Sequence, residues 1–405
     1  MSTLAEAVSP SPPSAIDDAM GKRFNNRERR AQRRRRALIY QVLVVLCAAF
    51  AFGYFSLNVV RNLEATGLTG GFGFLWQEAG FSMSFSLIPM TAEATYGRIY
   101  VAGILNTLFV ASMALVLATL LGVAVGLARS ATARPIRVMA KVYVEAVRNV
   151  PLLLILIFTQ TVALRSLPVV RNALDLGGGF FLSNRGIYLP APLTGPNTTL
   201  AAGLLVLGSV SALVAYLTRP RVPVSRARER APMLAAAMLA AGSMLAAAVL
   251  LEWERPKLGG FDFDGGIKLM PELVALLVAL VVYNAAFIAE IVRAGIASVD
   301  KGQVEAARAL GFRHGFIQRR IVLPQAMRLM IPPITNQYVH LVKASSLATV
   351  VGFPDLVNVF LGTSLNQTGR AVEIVILTAL VYLTINLALG SASAAYNSRK
   401  GLKQR

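Results

Sequence analysis

Eight apolar stretches of about twenty residues punctuate this chain, at approximately 37–60, 99–128, 149–168, 200–217, 232–251, 271–296, 327–350 and 372–394. A helix of about that length crosses the hydrocarbon of a bilayer, whereas an open sheet cannot, because its unpaired N–H and C=O groups find no partners in lipid. The pattern predicts an all-α integral membrane protein with about eight transmembrane helices. Composition agrees: 55% of the 405 residues are hydrophobic and only 15% are charged, against about 25% charge in an ordinary soluble globule.

The net charge of +20 would suit nucleic acid or a lipid surface, and its placement decides between them. Nine basic residues lie between Lys22 and Arg36, directly before the first apolar stretch. If that run stays in the cytoplasm, alternation puts 129–148, 218–231, 297–326 and the C-terminal tail on the same side, and these hold almost every other basic cluster, from Arg129 to Arg405. The opposite loops, 61–98, 169–199, 252–270 and 351–371, carry few basic residues and show Gly, Pro, Asn and acids such as Glu252, Glu254, Asp262 and Asp264. This is the positive-inside distribution, and it predicts both termini in the cytoplasm and no nucleic acid partner. The one cysteine, Cys47, rules out an intrachain disulfide framework.

The expected organisation follows. Residues 1–36 form a disordered basic cytoplasmic tail, without the apolar core of a cleavable signal peptide. Residues 37–98 hold the first membrane helix and a periplasmic loop, 99–394 the main transmembrane domain, and 395–405 a basic cytoplasmic tail. The Ala- and Leu-rich pair near 200–251, rich in small residues that let helices approach closely, reads as an inserted helical hairpin.

One cytoplasmic stretch carries a compound pattern: Glu305-Ala306-Ala307, then Gly311, then Ile321-Val322-Leu323-Pro324. Asp300 and Gln303 form a helix start, the acid capping free N–H groups and the Gln reaching back toward the cap. A short helix over 301–310 then stops at Gly311, and Pro324 suits a first helical turn. Ala306, Ala307 and Ala309 are small enough for another protein to approach the backbone. Taken alone, such a helix could equally rest on lipid headgroups.

This stretch resembles the EAA loop of the type I transmembrane subunits of bacterial ABC importers, and the resemblance implies a helix that docks on an ATPase. Dispersed matches point to the amino-acid branch of these permeases, the histidine/glutamate/glutamine type, and to the long permeases of general L-amino acid importers: Gly103-Ile104-Leu105-Asn106-Thr107-Leu108, Arg148-Asn149-Val150-Pro151, Tyr283 to Ile296, and Lys343-Ala344-Ser345-Ser346-Leu347. The resemblance implies a multi-pass protein of the bacterial inner membrane. Its expected partners are an ABC ATPase dimer, a second homologous permease or a second copy, a periplasmic amino-acid-binding protein and membrane lipid. The chain has no Gly-x-x-x-x-Gly-Lys-Ser/Thr phosphate loop, so ATP is expected to be used by the partner, with no cofactor bound here and no enzymatic activity.

Polar groups inside spans usually face the bundle interior or water. Asn336, His340 and Lys343 share one face of the seventh span, with Gln337 beside them, and together with Asn284, Ser345 and Ser346 they are the expected translocation path. The other reading has Lys343 snorkelling to the interface while the amides bond to neighbouring helices. Glu290 and Arg293 are expected to pair or to hold the coupling loop. His314 and His340 lack the partners a metal site needs. The competing function is an ion-gradient-driven secondary amino-acid transporter, which would show internal repeats and midplane carboxylates.

Overall fold

A computed structural model describes residues 36, 38–55, 57, 58, 61, 71–91, 93–193, 195–217 and 226–399. The expected tail over 1–36, apart from Arg36, and residues 400–405 lie outside the described residues. The chain divides into two compact units, Met1–Gly71 and Phe72–Arg405. In the first, α1 (Leu38–Phe55) is an apolar helix with no buried residue, which suits a surface solvated by acyl chains.

The second unit is mainly helical. Its elements are α2 (Tyr96–Arg129), α3 (Arg134–Arg148), α4 (Leu152–Ile157) continuing as a π-helical turn to Leu164, α5 (Thr198–Leu217), α6 (Arg226–Leu250), α7 (Pro271–Ala297), α8 (Lys301–Ala309), α9 (His314–Ile317), α10 (Leu323–Ala344), α11 (Ala348–Val351), α12 (Leu365–Thr368) and α13 (Ala371–Arg399). Among the described residues, α1, α2, α7 and α13 are long and apolar enough to cross a membrane, and a fifth crossing counts α3 and the helix after it as one bent span.

Several expected spans take a different form. The loop over 129–148 is the helix α3, which meets Leu152–Val162 at 102°, so the third span is short. The apolar parts of α5 and α6, Thr198–Val214 and Leu234–Leu250, fall short of an 18-residue crossing. In α10, Arg328, His340 and Lys343 lower the hydropathy, and Pro332 and Pro333 sit inside the helix.

The expectation of an all-α chain also needs correction. Residues 169–270 outside the hairpin form short strands: β1 (Leu174–Asp175), β2 (Phe181–Ser183), β3 (Gly186–Leu189), β4 (Ala191–Pro192), β5 (Trp253–Glu254), β6 (Lys257–Gly259), β7 (Asp262–Asp264) and β8 (Ile267–Leu269). Four make an antiparallel sheet in the order β1-β2-β3-β8, with Ile187 opposite Leu269. Tyr188 hydrogen-bonds Asp262, whose other carboxylate oxygen accepts from Lys268 at 2.7 Å. The Phe263 ring lies 4.6 Å from both Phe181 and Tyr188. The hairpin α5–α6 leaves this β module and returns to it, and β8 leads into α7 through Met270.

The bundle is organised by the crossing of α2 with α7. Ala114, Ala118, Gly122 and Gly126 recur every four residues on one face of α2, and all four are buried. Opposite lie the buried Ala285, Ile288, Ala289 and Val292. A Cβ on Gly122 would stand 2.7 Å from Ile288 Cβ, and one on Gly126 2.7 Å from Val292 Cβ. Lipid tails are as apolar as leucine, so close packing of small residues, not water exclusion, holds such a pair together.

At the far end of α2, Gly103, Asn106 and Thr107 bind one turn of chain. A Cβ on Gly103 would lie 3.0 Å from Leu356 Cα. Asn106 donates to the Pro354 carbonyl at 2.8 Å, and Thr107 Oγ1 accepts from the Leu356 N–H at 3.0 Å. This accounts physically for the Gly103 to Leu108 pattern. Asp355, within the same turn, accepts from the Asn358 N–H at 2.8 Å. Burial pushes its carboxyl up to about 7, against the backbone N–H groups of Asn358 and Val357 that favour the ion.

That shift sets a sign. Because the folded pKa lies above the ordinary carboxylate value, the protonated Asp355 contributes stability that is full below about pH 4 and is lost as pH rises through about 7. Thermal unfolding in detergent between pH 4 and 8 should show this decline in the parent and a flatter profile in Asp355→Asn. Equal slopes in the two proteins would refute the assignment.

Candidate functional site

The stretch from Asp300 to Pro324 folds as a capped helix with one anchored face. Asp300 caps α8 by accepting from the Gly302 N–H at 2.8 Å. Gln303 does not reach back to the cap as expected. It accepts from Gln325 Nε2 at 2.6 Å and so ties α8 to the first turn of α10. Gly311, at φ +76°, ends the helix, with its N–H donating to Arg308 and the Phe312 N–H to Ala307 at 3.1 Å. These bonds satisfy carbonyls that a helix end otherwise leaves open.

Ala307 is buried and Val304 packs against the core, while Glu305, Ala306, Arg308 and Ala309 are exposed. Glu305 has no ion pair among the described residues. Beside this small-residue face stand two large apolar side chains missed in the sequence, Leu310 at 76% exposure and Phe312 at 44%. The Phe312 ring stacks on Phe316 with centroids 4.7 Å apart. The signal was present as two apolar residues flanking a helix-stop glycine in a polar loop. Ile321 is half-buried, and Leu323 and Pro324 are exposed at the start of α10. Pro324 lies in the first turn of α10, but the helical trace begins earlier, at His314, and passes through a π-helical turn over Gln318–Val322.

Next to this stretch, Glu290 gathers three arginines. It pairs with Arg293 at 2.6 Å, the expected i,i+3 pair, and also contacts Arg129 from the end of α2. Arg148, from the end of α3, stands 3.9 Å away with its guanidinium 5.2 Å from the Phe287 ring centroid. One carboxylate thus ties together the ends of α2, α3 and α7. Arg129 and Arg148 escaped sequence reading because they lie far from Glu290 in the chain.

The expected path residues separate into two groups. Asn336, His340 and Lys343 are exposed on one face of α10, and their side chains make no hydrogen bond or ion pair among the described residues. Asn284, by contrast, is fully buried: it accepts from Gln337 at 2.7 Å and donates to the Leu280 carbonyl. Ser345 is buried and bonded to the Val342 carbonyl, and the half-buried Ser346 to that of Lys343. In this conformation Asn284 and Gln337 join α7 to α10, while Asn336, His340 and Lys343 form an open polar stripe.

The chain is 41% identical over 374 residues to the amino-acid ABC transporter permease protein YhdX of Escherichia coli (strain K12), covering 91% of this chain and 95% of that protein. It is 36% identical to the general L-amino acid transport system permease protein AapQ of Rhizobium johnstonii, covering 91% and 93%. It is 35% identical to the glutamate/glutamine/aspartate/asparagine transport system permease protein BztB of Rhodobacter capsulatus, covering 91% and 95%. Residues 118–401 match the family described as the binding-protein-dependent transport system inner membrane component. The chain belongs to that family and is a multi-pass inner-membrane permease subunit of an ABC transporter.

Proposed function

We propose that this permease imports L-amino acids, driven by ATP hydrolysis on a separate ATPase dimer that grips α8, and receives its substrate from a periplasmic binding protein. The observation that carries the reading is the α8 surface: one face anchored by Ala307 and the Gln303–Gln325 bond, the other exposing Glu305, which has no ion pair among the described residues, together with Ala306, Leu310 and the Phe312 ring stacked on Phe316. A helix held on one side and bare on the other is suited to transmit a partner's displacement to α10. The substrate class rests on relatives that transport amino acids.

In this reading the chain crosses the membrane eight times with both termini in the cytoplasm. α1 precedes the main domain, α5–α6 is an inserted scaffold, and a second permease chain completes the path. Asn336, His340 and Lys343 then face that path, and Lys343 meets the substrate carboxylate. ATP stays with the partner, and this chain binds no cofactor. The ion-gradient alternative is not favoured, since the family works with a binding protein.

The test is reconstitution with the ATPase and binding protein in proteoliposomes. Uptake should require ATP and all three components, and Lys343→Ala should lower it by an order of magnitude without lowering ATPase association. Uptake by this chain alone on an ion gradient would overturn the reading, and full activity of Lys343→Ala would remove the assigned carboxylate contact.

A further inference from the structure

α3 is strongly amphipathic and has three faces. Ala140 and Val144 are buried in the bundle, and on the same side Tyr143 donates to the Val282 carbonyl of α7 at 2.7 Å. Arg134, Arg137 and Lys141, spaced by three and four residues, share a second face. Val138, Met139 and Val142 form a third, with Met139 73% and Val142 60% exposed. Arg134 and Arg137 have no ion pair among the described residues. Among the described residues Lys141 pairs only with Glu145 of the same helix, at 3.6 Å, and both side chains are more than half exposed.

Orientation says what covers these faces. The helix that follows, Leu152–Val162, is apolar and runs at 102° to α3, the turn falling at Asn149-Val150-Pro151. Leu152–Val162 alone is too short to cross a bilayer, but a segment nearly perpendicular to an apolar helix that enters the hydrocarbon runs along the membrane plane. Exposed valines and methionine beside a basic stripe then match the acyl boundary on one side and phosphate on the other.

We propose that α3 is an interfacial helix that binds anionic phospholipid of the cytoplasmic leaflet, with Val138, Met139 and Val142 at the acyl boundary and Arg134, Arg137 and Lys141 on the headgroup phosphates. The assignment rests on the reading that 129–148 faces the cytoplasm. Because Arg148 at the end of α3 joins the Glu290 cluster, the lipid contact connects to the same end of α7 from which α8 departs.

The full chain carrying Cys47→Ser and Met139→Cys, labelled with bimane and placed in vesicles of mixed phosphatidylglycerol and phosphatidylcholine, provides a local readout. Brominated phosphatidylglycerol should quench the label more strongly than brominated phosphatidylcholine at equal mole fraction. Adding Arg134→Gln, Arg137→Gln and Lys141→Gln should bring the ratio toward one, by up to roughly fivefold per charge at low salt. Equal quenching by the two lipids in the parent overturns the proposal, and this arm needs no variant at the basic positions to fold. A label quenched by neither lipid, or shielded from aqueous quencher only when the ATPase is added, overturns it in favour of a protein partner. None of these readings depends on transport, so loss of amino-acid uptake and loss of lipid preference remain separate results.

Discussion

Gly126→Leu should prevent the permease from accumulating as a folded protein, whereas Gly390→Leu, on α13, should be tolerated. The two positions differ in what a side chain would meet. At Gly390 nothing lies within 4 Å, but at Gly126 a Cβ would stand 2.7 Å from Val292 Cβ and 2.9 Å from the Ala289 carbonyl oxygen. Neither neighbour can rotate away, since one is a β-branched carbon and the other is backbone. Adding even one methylene to a packed core costs about 1–3 kcal/mol, and leucine adds several atoms beyond that. The alternative is for α2 and α7 to separate, which would break the Thr119–Tyr338 bond of 2.8 Å between α2 and α10 or the Arg129–Glu290 pair. Size-exclusion profiles and thermal unfolding in detergent measure the effect, with Gly126→Ala expected between parent and leucine variant. Combining Gly126→Ala with Val292→Ala should restore only part of the loss, because the second change removes Val292 Cγ1 at 2.8 Å but leaves its Cβ at 2.7 Å and the Ala289 oxygen at 2.9 Å. A Gly126→Leu protein as stable as Gly390→Leu would mean that this crossing does not hold the bundle together.

The same crossing shows what was readable beforehand. Long apolar runs announced α1, α2, α7 and α13 by length alone, and the Asp300 cap and Gly311 stop bounded α8 to within a residue of its observed end. The small-residue face of α2 was equally visible as Ala114-Ala118-Gly122-Gly126, although the small residues that stood out in the sequence were those of 235–242, in the hairpin where α6 packs on α5. α3 was hidden by its own charges: basic residues between spans read as loop, although their spacing of three and four residues is helical. The β module was not legible, because strands of two to four residues are too short for alternation to register. Of the site, Glu305 and its neighbours were accessible as a local pattern. The burial of Asn284 and the convergence of Arg129 and Arg148 on Glu290 depend on contacts between distant segments, and no single-chain periodicity carries that information.

Gly311 presents the reverse of Gly126, since its constraint is conformational and not steric. A Cβ there meets nothing within 4 Å, yet φ is +76°. Left-handed backbone costs an ordinary L-residue about 1–2 kcal/mol and a β-branched one more, while Asn tolerates it comparatively well. Gly311→Val therefore has space for its side chain but favours a different exit from α8. Adopting that exit breaks the Phe312 N–H bond to Ala307 and the Gly311 N–H bond to Arg308, and it moves the stacked Phe312 and Phe316 rings relative to the exposed face around Glu305. Because α8 lies outside the helix crossings that hold the bundle, thermal stability should fall by only a few degrees. Coupling should suffer far more: ATP-driven uptake by Gly311→Val should drop by roughly ten- to thirtyfold, the equivalent of about 1.4–2 kcal/mol, with Gly311→Asn close to the parent and Gly311→Ala between them. Measuring uptake per ATP hydrolysed separates a misdirected handle from a lost one. A misaimed α8 that still binds the ATPase gives hydrolysis without transport, whereas failed docking lowers both. If valine at this position supported uptake as well as glycine, the left-handed turn would have no part in transmission, and α8 would have to act through Ala307 and the Gln303–Gln325 bond alone.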